Sequence, residues 1–444
     1  MQADFLDFFT DPVLRAPTIG SMLMCLAASF VGVLAFIRRR SLLGEALSHC
    51  AYPGVVISAL ITAVFFSASE EALSIGVLIG AFCSGIIGLW VIDKLERRFR
   101  VSDDAALCFV LALFFGVGVL VASRVQITHA LIYRKIQVFL YGQAATMTDA
   151  HVYMYSGLVL LSVVILFCFY REIQVSFFDR QFAKSIGIRT RLVDGVLFFL
   201  LVLAIVIGIR SVGVVLMAGM LISPAVAARQ FTHSLKWMFC IAGIIGAVSG
   251  FLGNFFSIAL PEWGIKAGFD WDFILPTGPM ILLSSVAICF FALFFAPDRG
   301  LFSRFCRIVK FRDRCILENV LKSMWRKGEG TKVSFKEFAS WVSYSRFFTY
   351  FLLLRLRRQG WMEKKQKLFC LTNDGRLRAA HIVRLHRLWE VYLVYLGQKV
   401  EKVHRSAEEM EHIITPELEK ELTDLLNNPR QDPHDQPIPS KEHI

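Results

Sequence analysis

The stretch FFALFFAPDRGLFSRFCRIVKFRDR, residues 290–314, divides the chain in two. As far as Ala296 it closes an apolar run; from Asp298 it carries six Lys or Arg against two Asp. Crossing a bilayer takes about 20 predominantly apolar residues, which the sequence before Pro297 supplies and the sequence after it does not. The N-terminal side is written for lipid and the C-terminal side for water.

Composition agrees. The 444 residues are 55% hydrophobic, with 40 Phe against 8 Trp and 10 Tyr. Mean hydropathy is +0.56, which excludes a wholly soluble protein of this size. Spans are expected near 17–37, 45–66, 72–92, 105–123, 151–170, 193–210, 212–228, 236–260 and 274–296, about nine in all. Residues 193–228 are nearly continuous and leave room for a broken or re-entrant segment. Lys and Arg mark the cytoplasmic side. The Arg38-Arg39-Arg40 turn, the loop with Lys94, Arg97, Arg98 and Arg100, and the stretch Arg171 to Arg191 alternate consistently, with the loop 124–150 a mild exception. SASEEA (67–72) and PEWGIKAGFDWD (261–272) then face outward. The N-terminus is expected outside and the C-terminal region in the cytoplasm. MQADFLDFFTDPVLRA lacks the basic n-region of a cleaved signal peptide. The ten cysteines show no C-x-x-C pair, so no disulfide framework or zinc ribbon is visible.

Two stretches of the apolar half carry polar chemistry. In RRRSLLGEALSHCAYPG (38–54), Glu45 and His49 stand one helical turn apart at the start of the second span. Ionisable groups in a membrane helix are costly and usually face a pathway, and a carboxylate beside an imidazole suits a transition metal. The same pair also fits a helix start in the headgroup region. FFDRQFAKSIGIRTR (177–191) reads as an interfacial helix on the cytoplasmic side.

Beyond the boundary, residues 297–380 hold 20 Lys and Arg against 7 Asp and Glu, a net of +13. Residues 381–444 hold 8 against 12, a net of −4. The basic segment is a natural partner for nucleic acid, and its first part, 297–314, also suits an anionic lipid surface. RCILENVLKSMWRKGEG has helical spacing closed by Gly328, SFKEFASWV opens with a capping box between Ser334 and Glu337, and SRFFTYFLLLRLRRQGW makes a third helix from Ser345 to Gly360. WMEKKQKLFCLT (361–372) then reads as a basic β-ribbon. Three helices and a ribbon predict a winged helix-turn-helix. Ser345, Arg346, Thr349 and Tyr350 would meet the major groove, and Lys364, Lys365 and Lys367 the phosphates. The greasy face of the same helix also fits a protein partner. Further on, His386 and Glu390 in HRLWEVYL are i, i+4, and VHRSAEEMEH (403–412) sets His404, Glu408, Glu411 and His412 on one helix face.

These motifs fall in the order of two known families. Residues 1–296 resemble the permease subunit of metal-importing ABC transporters of the manganese, zinc and iron type. The likeness lies in GEALSH with Pro53-Gly54, FDRQFAKSIGI, VGVVLMAGMLISPAVAA (212–228) and ILPTGPMIL (274–282). It implies a bacterial inner membrane, a homologous or identical second permease, and a periplasmic or extracellular metal-binding protein. It further implies a separate ATPase subunit docked on 177–191, with Phe178, Asp179, Phe182, Ala183 and Gly187 in the coupling motif. Glu45 and His49 would line the metal pathway. No G-x-x-x-x-G-K-[ST] occurs, so the chain is not expected to hydrolyse ATP itself.

Residues 313–439 resemble iron- and manganese-dependent repressors of the diphtheria-toxin-repressor type, through the winged helix, LTNDGRLRAAHIVRLHRLWEVYL, VHRSAEEMEH and a terminal DPHxxPIP. The resemblance implies a primary metal site of Cys315, Glu408, Glu411 and His412. It implies a second site of His386, Glu390 and His404, with Glu318 joining in manganese-type members. Cys315 with Glu408 is a hybrid of the iron and manganese branches. The bound ion is expected to be manganese or ferrous iron, with zinc a further candidate.

The expectation is therefore an all-α polytopic membrane domain (1–296), a basic juxtamembrane linker (297–314), an α+β winged helix-turn-helix domain (315–380) and a helical metal-binding and dimerisation domain (381–444). Two readings of the tail stay open. It represses metal-uptake genes at operator DNA as a homodimer, released by cleavage in the linker, or it stays attached as a metal-sensing gate on transport.

Overall fold

A computed structural model describes the chain except for residues 1–5, 39, 41, 66–69, 267, 269–274, 329–330, 343–344 and 441–444. Arg39 of the first basic turn, residues 67–69 of SASEEA and part of 261–272 thus lie outside the described residues. The chain falls into two compact units, Met1–Arg304 and Phe305–Ile444.

The first unit is helical. After a short α1 (Asp7–Thr10) come α2 (Pro12–Ile37), α3 (Leu42–Phe65), α4 (Glu70–Arg98), α5 (Asp103–Thr128) and α6 (Ala130–Tyr141). They are followed by α7 (Asp149–Cys168), the short α8 (Tyr170–Phe178) and α9 (Arg180–Ser185), then α10 (Thr190–Val212), α11 (Val214–Phe231), α12 (Leu235–Lys266) and α13 (Thr277–Phe295). Among the described residues eight of these are long and apolar enough to cross a membrane: α2, α3, α4, α5, α7, α10, α12 and α13. The ninth expected span is the shorter α11. It is cut from α10 at Gly213, whose φ of +94° is open to glycine and strained for other residues. Gly142 packs against this break so closely that a Cβ there would meet the Val212 carbonyl carbon at 2.3 Å. The core of the unit is built by α2, α3, α10 and α11, where Met24, Val31, Leu47, Val55, Leu200, Ile205 and Met217 are buried. The outward faces of α4, α5 and α7 carry exposed Ile, Leu and Phe, as lipid-facing helices do.

The second unit is α+β. It comprises most of α14 (Leu301–Arg326), then β1 (Val333–Ser334), α15 (Phe335–Val342), α16 (Arg346–Arg358), β2 (Met362–Lys365), β3 (Leu368–Leu371), α17 (Asn373–Tyr395), α18 (Val400–Met410) and α19 (Pro416–Leu425). The strands form one antiparallel sheet in the order β1-β3-β2. The hairpin register pairs Met362 with Leu371 and Lys365 with Leu368, and Gln366 turns it at φ +60°.

Local signals decide the helix ends. Ser334 and Glu337 form the expected reciprocal cap on α15, with the Glu337 amide 3.3 Å from the Ser334 hydroxyl and the Ser334 amide 3.1 Å from the Glu337 carboxylate. Ser345 caps α16 by accepting from the Phe348 amide, and Gly328 and Gly360 end α14 and α16 at positive φ. From Leu317 onward α14 buries Leu317, Leu321 and Met324 against Phe338, Leu352, Leu356, Met362, Phe369 and Ala379. Each large side chain in such a core contributes about 1.5–3 kcal/mol of burial free energy.

Candidate metal centres

On the membrane side, Glu45 and His49 sit one turn apart on α3, both half-buried. The His49 ring stands edge-on to Phe115, its centroid 4.8 Å away. Its Nδ1 is buried with no hydrogen-bond partner among the described residues. An imidazole nitrogen left without a partner in an apolar surround is costly, and such a nitrogen is able to ligate a transition metal.

The 177–191 stretch folds as the end of α8, a one-residue break at Asp179, and α9. Asp179 caps α9 by accepting from the amides of Gln181 and Phe182, at 2.8 and 3.0 Å. Ala183 is fully buried, while Phe178, Phe182 and Ile186 stand exposed, Phe178 at 94%. Gly187 closes the segment at φ +86°. Asp194 of α10 anchors it by pairing with Arg180 at 2.6 Å and with Arg38 at the end of α2. The result is a braced polar turn presenting three apolar side chains.

In the second unit the His386–Glu390 pair of α17 meets His404 of α18. His404 Nδ1 lies 2.8 Å from Glu390 Oε1 and 3.0 Å from His386 Nε2, and His386 Nε2 lies 3.2 Å from Glu390 Oε1. Three donors on one face of an octahedral site with bonds of about 2.1 Å would stand roughly 3.0 Å apart. These atoms already hold that spacing through hydrogen bonds. His386 and Glu390 are buried and His404 is half-open, so the cluster has one solvent-facing side. Burial would raise the Glu390 carboxyl, but hydrogen bonds from His386 and His404 hold it at about 2. It therefore presents a charged oxygen at neutral pH. Two imidazoles and a carboxylate fit a divalent transition ion.

A second trio, Glu390, Asp432 and His434, shares the same carboxylate. Glu390 Oε2 is 3.8 Å from His434 Nδ1. Asp432 is partly committed: its Oδ1 accepts from the amides of His434 and Gln436, and its Oδ2 lies 3.3 Å from Arg387. Sequence reasoning recognised the DPH motif but gave Asp432 and His434 no ligand role; His434, two residues after an acid, was the available signal.

Of the four residues expected as a primary site, Glu411 and His412 lie together, Glu411 Oε1 3.5 Å from His412 Nε2. Glu408 is exposed and faces His404 Nε2 at 3.6 Å. Glu411 is buried between His386 Nδ1 at 2.5 Å and the Lys322 ammonium at 2.5 Å. His412 contacts Glu318 at 2.7 Å and Asn319 at 3.1 Å. Glu318 is gripped by Arg314 at 3.0 Å and Arg378 at 2.5 Å. Burial works against its ionisation, yet the bonds from His412, Arg378 and Arg314 hold it at about 2. Cys315 is half-buried on the same face of α14, its thiol pushed up by burial and by the charge of Glu318. α18 ends at Met410 with Glu411 as its C-cap in helical conformation, and Glu411 and His412 there meet Lys322, Glu318 and Asn319 of α14. Lys322 then supplies beside Glu411 the positive charge that an ion would bring.

Of the residues expected at DNA, Ser345 and Arg346 are exposed at the start of α16, and Tyr350 is 61% exposed. Thr349 is fully buried and donates to the Ser345 carbonyl at 3.0 Å, so its hydroxyl is used inside the fold. Lys364, Lys365 and Lys367 lie exposed on the hairpin, Lys365 paired with Glu363 at 2.6 Å.

The profile of a family described as the ABC 3 transport family matches residues 10–296. That of the iron dependent repressor, metal binding and dimerisation domain, matches residues 372–440. A probable metal transport system membrane protein of Chlamydia trachomatis serovar D is 35% identical over 441 residues, covering 98% of this chain and 97% of that one. The manganese transport system membrane protein MntC of Bacillus subtilis is 31% identical over 381 residues, 85% of this chain and 83% of that one. Among solved structures, PsaBC from Streptococcus pneumoniae in complex with Fab superposes with a TM-score of 0.56 at 23% identity, over 69% of this chain and 99% of that one. That last likeness is one of fold.

Proposed function

The chain belongs to the ABC 3 transport family through residues 10–296, and from that premise we propose that it imports a divalent transition metal and senses it with its tail. The permease is a non-enzymatic membrane subunit with an iron-repressor-like C-terminal region. Glu45 and His49 line the path of the transported ion. The exposed Phe178, Phe182 and Ile186 dock the separate ATPase subunit, an external metal-binding protein delivers the ion, and a second permease completes the pore. The cytoplasmic side holds the tail, and the N-terminus is outside. Manganese or ferrous iron is the favoured ion, zinc the alternative.

In the tail, His386, Glu390 and His404 would hold the ion, which there would tie α17 to α18. Residues 315–380 act as a winged helix-turn-helix, with Arg346, Tyr350, Lys364 and Lys367 toward operator DNA, and 381–444 as the metal-binding and dimerisation part. Binding of the ion favours the DNA-competent arrangement over the open one, and that difference in affinity sets the switch. The tail reaches its operator after cleavage within 297–314.

The observation that carries this reading is the convergence of His386, Glu390 and His404 at 2.8–3.2 Å in the region matched by the repressor profile. Gel retardation of residues 313–444 on the promoter of the chain's own operon, with and without manganese or ferrous iron, tests it. Metal-dependent retardation abolished by His386→Ala is the expected outcome. No retardation even at low salt, where phosphate contacts are strongest, would replace the repressor by an attached gate. An immunoblot against the C-terminus that finds only the 50.2 kDa chain would remove the cleavage step.

A further inference from the structure

We propose that residues 301–312, the first half of α14, form an interfacial helix that binds an anionic lipid surface. The inference is independent of whether the tail binds metal or DNA.

Helical spacing puts Leu301, Phe302, Phe305, Ile308 and Val309 within an arc of about 120°, at about 100° per residue. All five are exposed, Phe302 at 57% and Phe305 at 64%. Arg304, Arg307 and Lys310 stand outside that arc, and only Arg312 interrupts the apolar stripe, near its end. The same helix is buried from Leu317 onward, whereas every residue from 304 to 312 is exposed. A helical segment of that length gains little from its own hydrogen bonds in water. Its apolar stripe needs a cover.

The last membrane helix indicates what that cover is. Ala296, directly after α13, is fully buried, and its carbonyl accepts from the Gly300 amide at 3.0 Å and the Ser303 hydroxyl at 3.1 Å. The turn requires glycine: a Cβ on Gly300 would meet the Ala296 carbonyl oxygen at 2.4 Å. The Phe302 ring rests on Phe295 of α13, centroids 6.1 Å apart. Residues 300–303 are thus tied to the end of α13, a helix long and apolar enough to cross a membrane. An apolar stripe carrying aromatic rings and flanked by guanidinium and ammonium groups is what an anionic headgroup layer recognises. Zwitterionic lipid would satisfy the rings but not the charges.

Hydrogen exchange on the full-length chain in nanodiscs tests this, comparing phosphatidylcholine alone with phosphatidylcholine containing phosphatidylglycerol. Peptides from 277–295 serve as the internal measure of correct insertion. Exchange across 301–312 is expected to slow by roughly tenfold with the anionic lipid. That protection should be lost in high salt, which screens headgroup attraction, and in the triple variant R304E/R307E/K310E. Equal protection in both lipids at every salt concentration would mean that a protein surface, such as a second copy, covers the stripe, and would overturn the proposal. No protection in either lipid, with 277–295 protected, would overturn it as well.

Discussion

Lys322 is the residue that most changes the chemistry implied by the sequence. Its ammonium is buried against Glu411, with side-chain exposures of 6% and 0%. Removing one partner of such a pair strands the other charge away from water, at a cost of about 3–5 kcal/mol. Lys322→Ala is therefore expected to lower the denaturation midpoint of the C-terminal region, with Lys322→Arg much milder. Manganese added to the alanine variant should recover part of the loss, read as a ligand-dependent shift in midpoint. In the membrane, His49→Ala is expected to abolish metal uptake while the chain still inserts, measured by isotope uptake against membrane-fraction abundance. The sequence made His386 and Glu390 legible because both lie well inside a long helix. What surrounds Glu411 and His412 was not readable, because Lys322, Glu318 and Asn319 reach them from a helix about ninety residues earlier in the chain. Lys322 gave no signal, since a lysine at helical spacing usually faces solvent.

At the scale of elements, α9 depends on its cap. Asp179→Ala removes the Oδ1 that accepts from both the Gln181 and Phe182 amides and should cost about 1 kcal/mol locally. The expected readout is a fall in metal-stimulated ATP hydrolysis by the assembled transporter, with its assembly intact. In the tail, Glu419 joins α19 to α17 through His381 at 3.1 Å and Arg384 at 2.9 Å. The His381 hydrogen bond, followed by the Arg384 contact and against burial, lowers its carboxyl from 4.5 to about 2. A carboxyl depressed on folding stabilises fully above its unfolded value and loses that contribution as pH falls through the folded one. Stability of the tail should accordingly drop between about pH 4.5 and 2, and Glu419→Gln should flatten that limb in an acid titration followed by circular dichroism. The caps at Ser334 and Ser345 and the glycine stops at Gly328 and Gly360 were readable because each is a local signal within three or four residues. The break between α10 and α11 was readable only as an ambiguity. Gly213 lies in an apolar run, and what makes it a break is the close approach of Gly142, some seventy residues earlier in the chain.

Over the whole molecule, the two units have separate cores and should report separately on heating. A scan of the purified chain in detergent is expected to show two transitions, with manganese raising one of them by mass action on the proposed His386–Glu390–His404 site and His404→Ala removing that shift. The boundary between lipid-facing and water-facing sequence was legible at Pro297 from charge alone. The division by contacts comes a few residues later, at Arg304, because the first turn of α14 packs back onto the end of α13. Arg384 donates to the Pro439 carbonyl at 2.9 Å, and Arg387 reaches the Pro437 carbonyl, so residues 437–439 are sewn onto a helix laid down fifty residues before. Removing residues 432–439 would leave two guanidinium groups without those carbonyls and take His434 from the shared Glu390 carboxylate, so a chain cut there would carry a different candidate ion site.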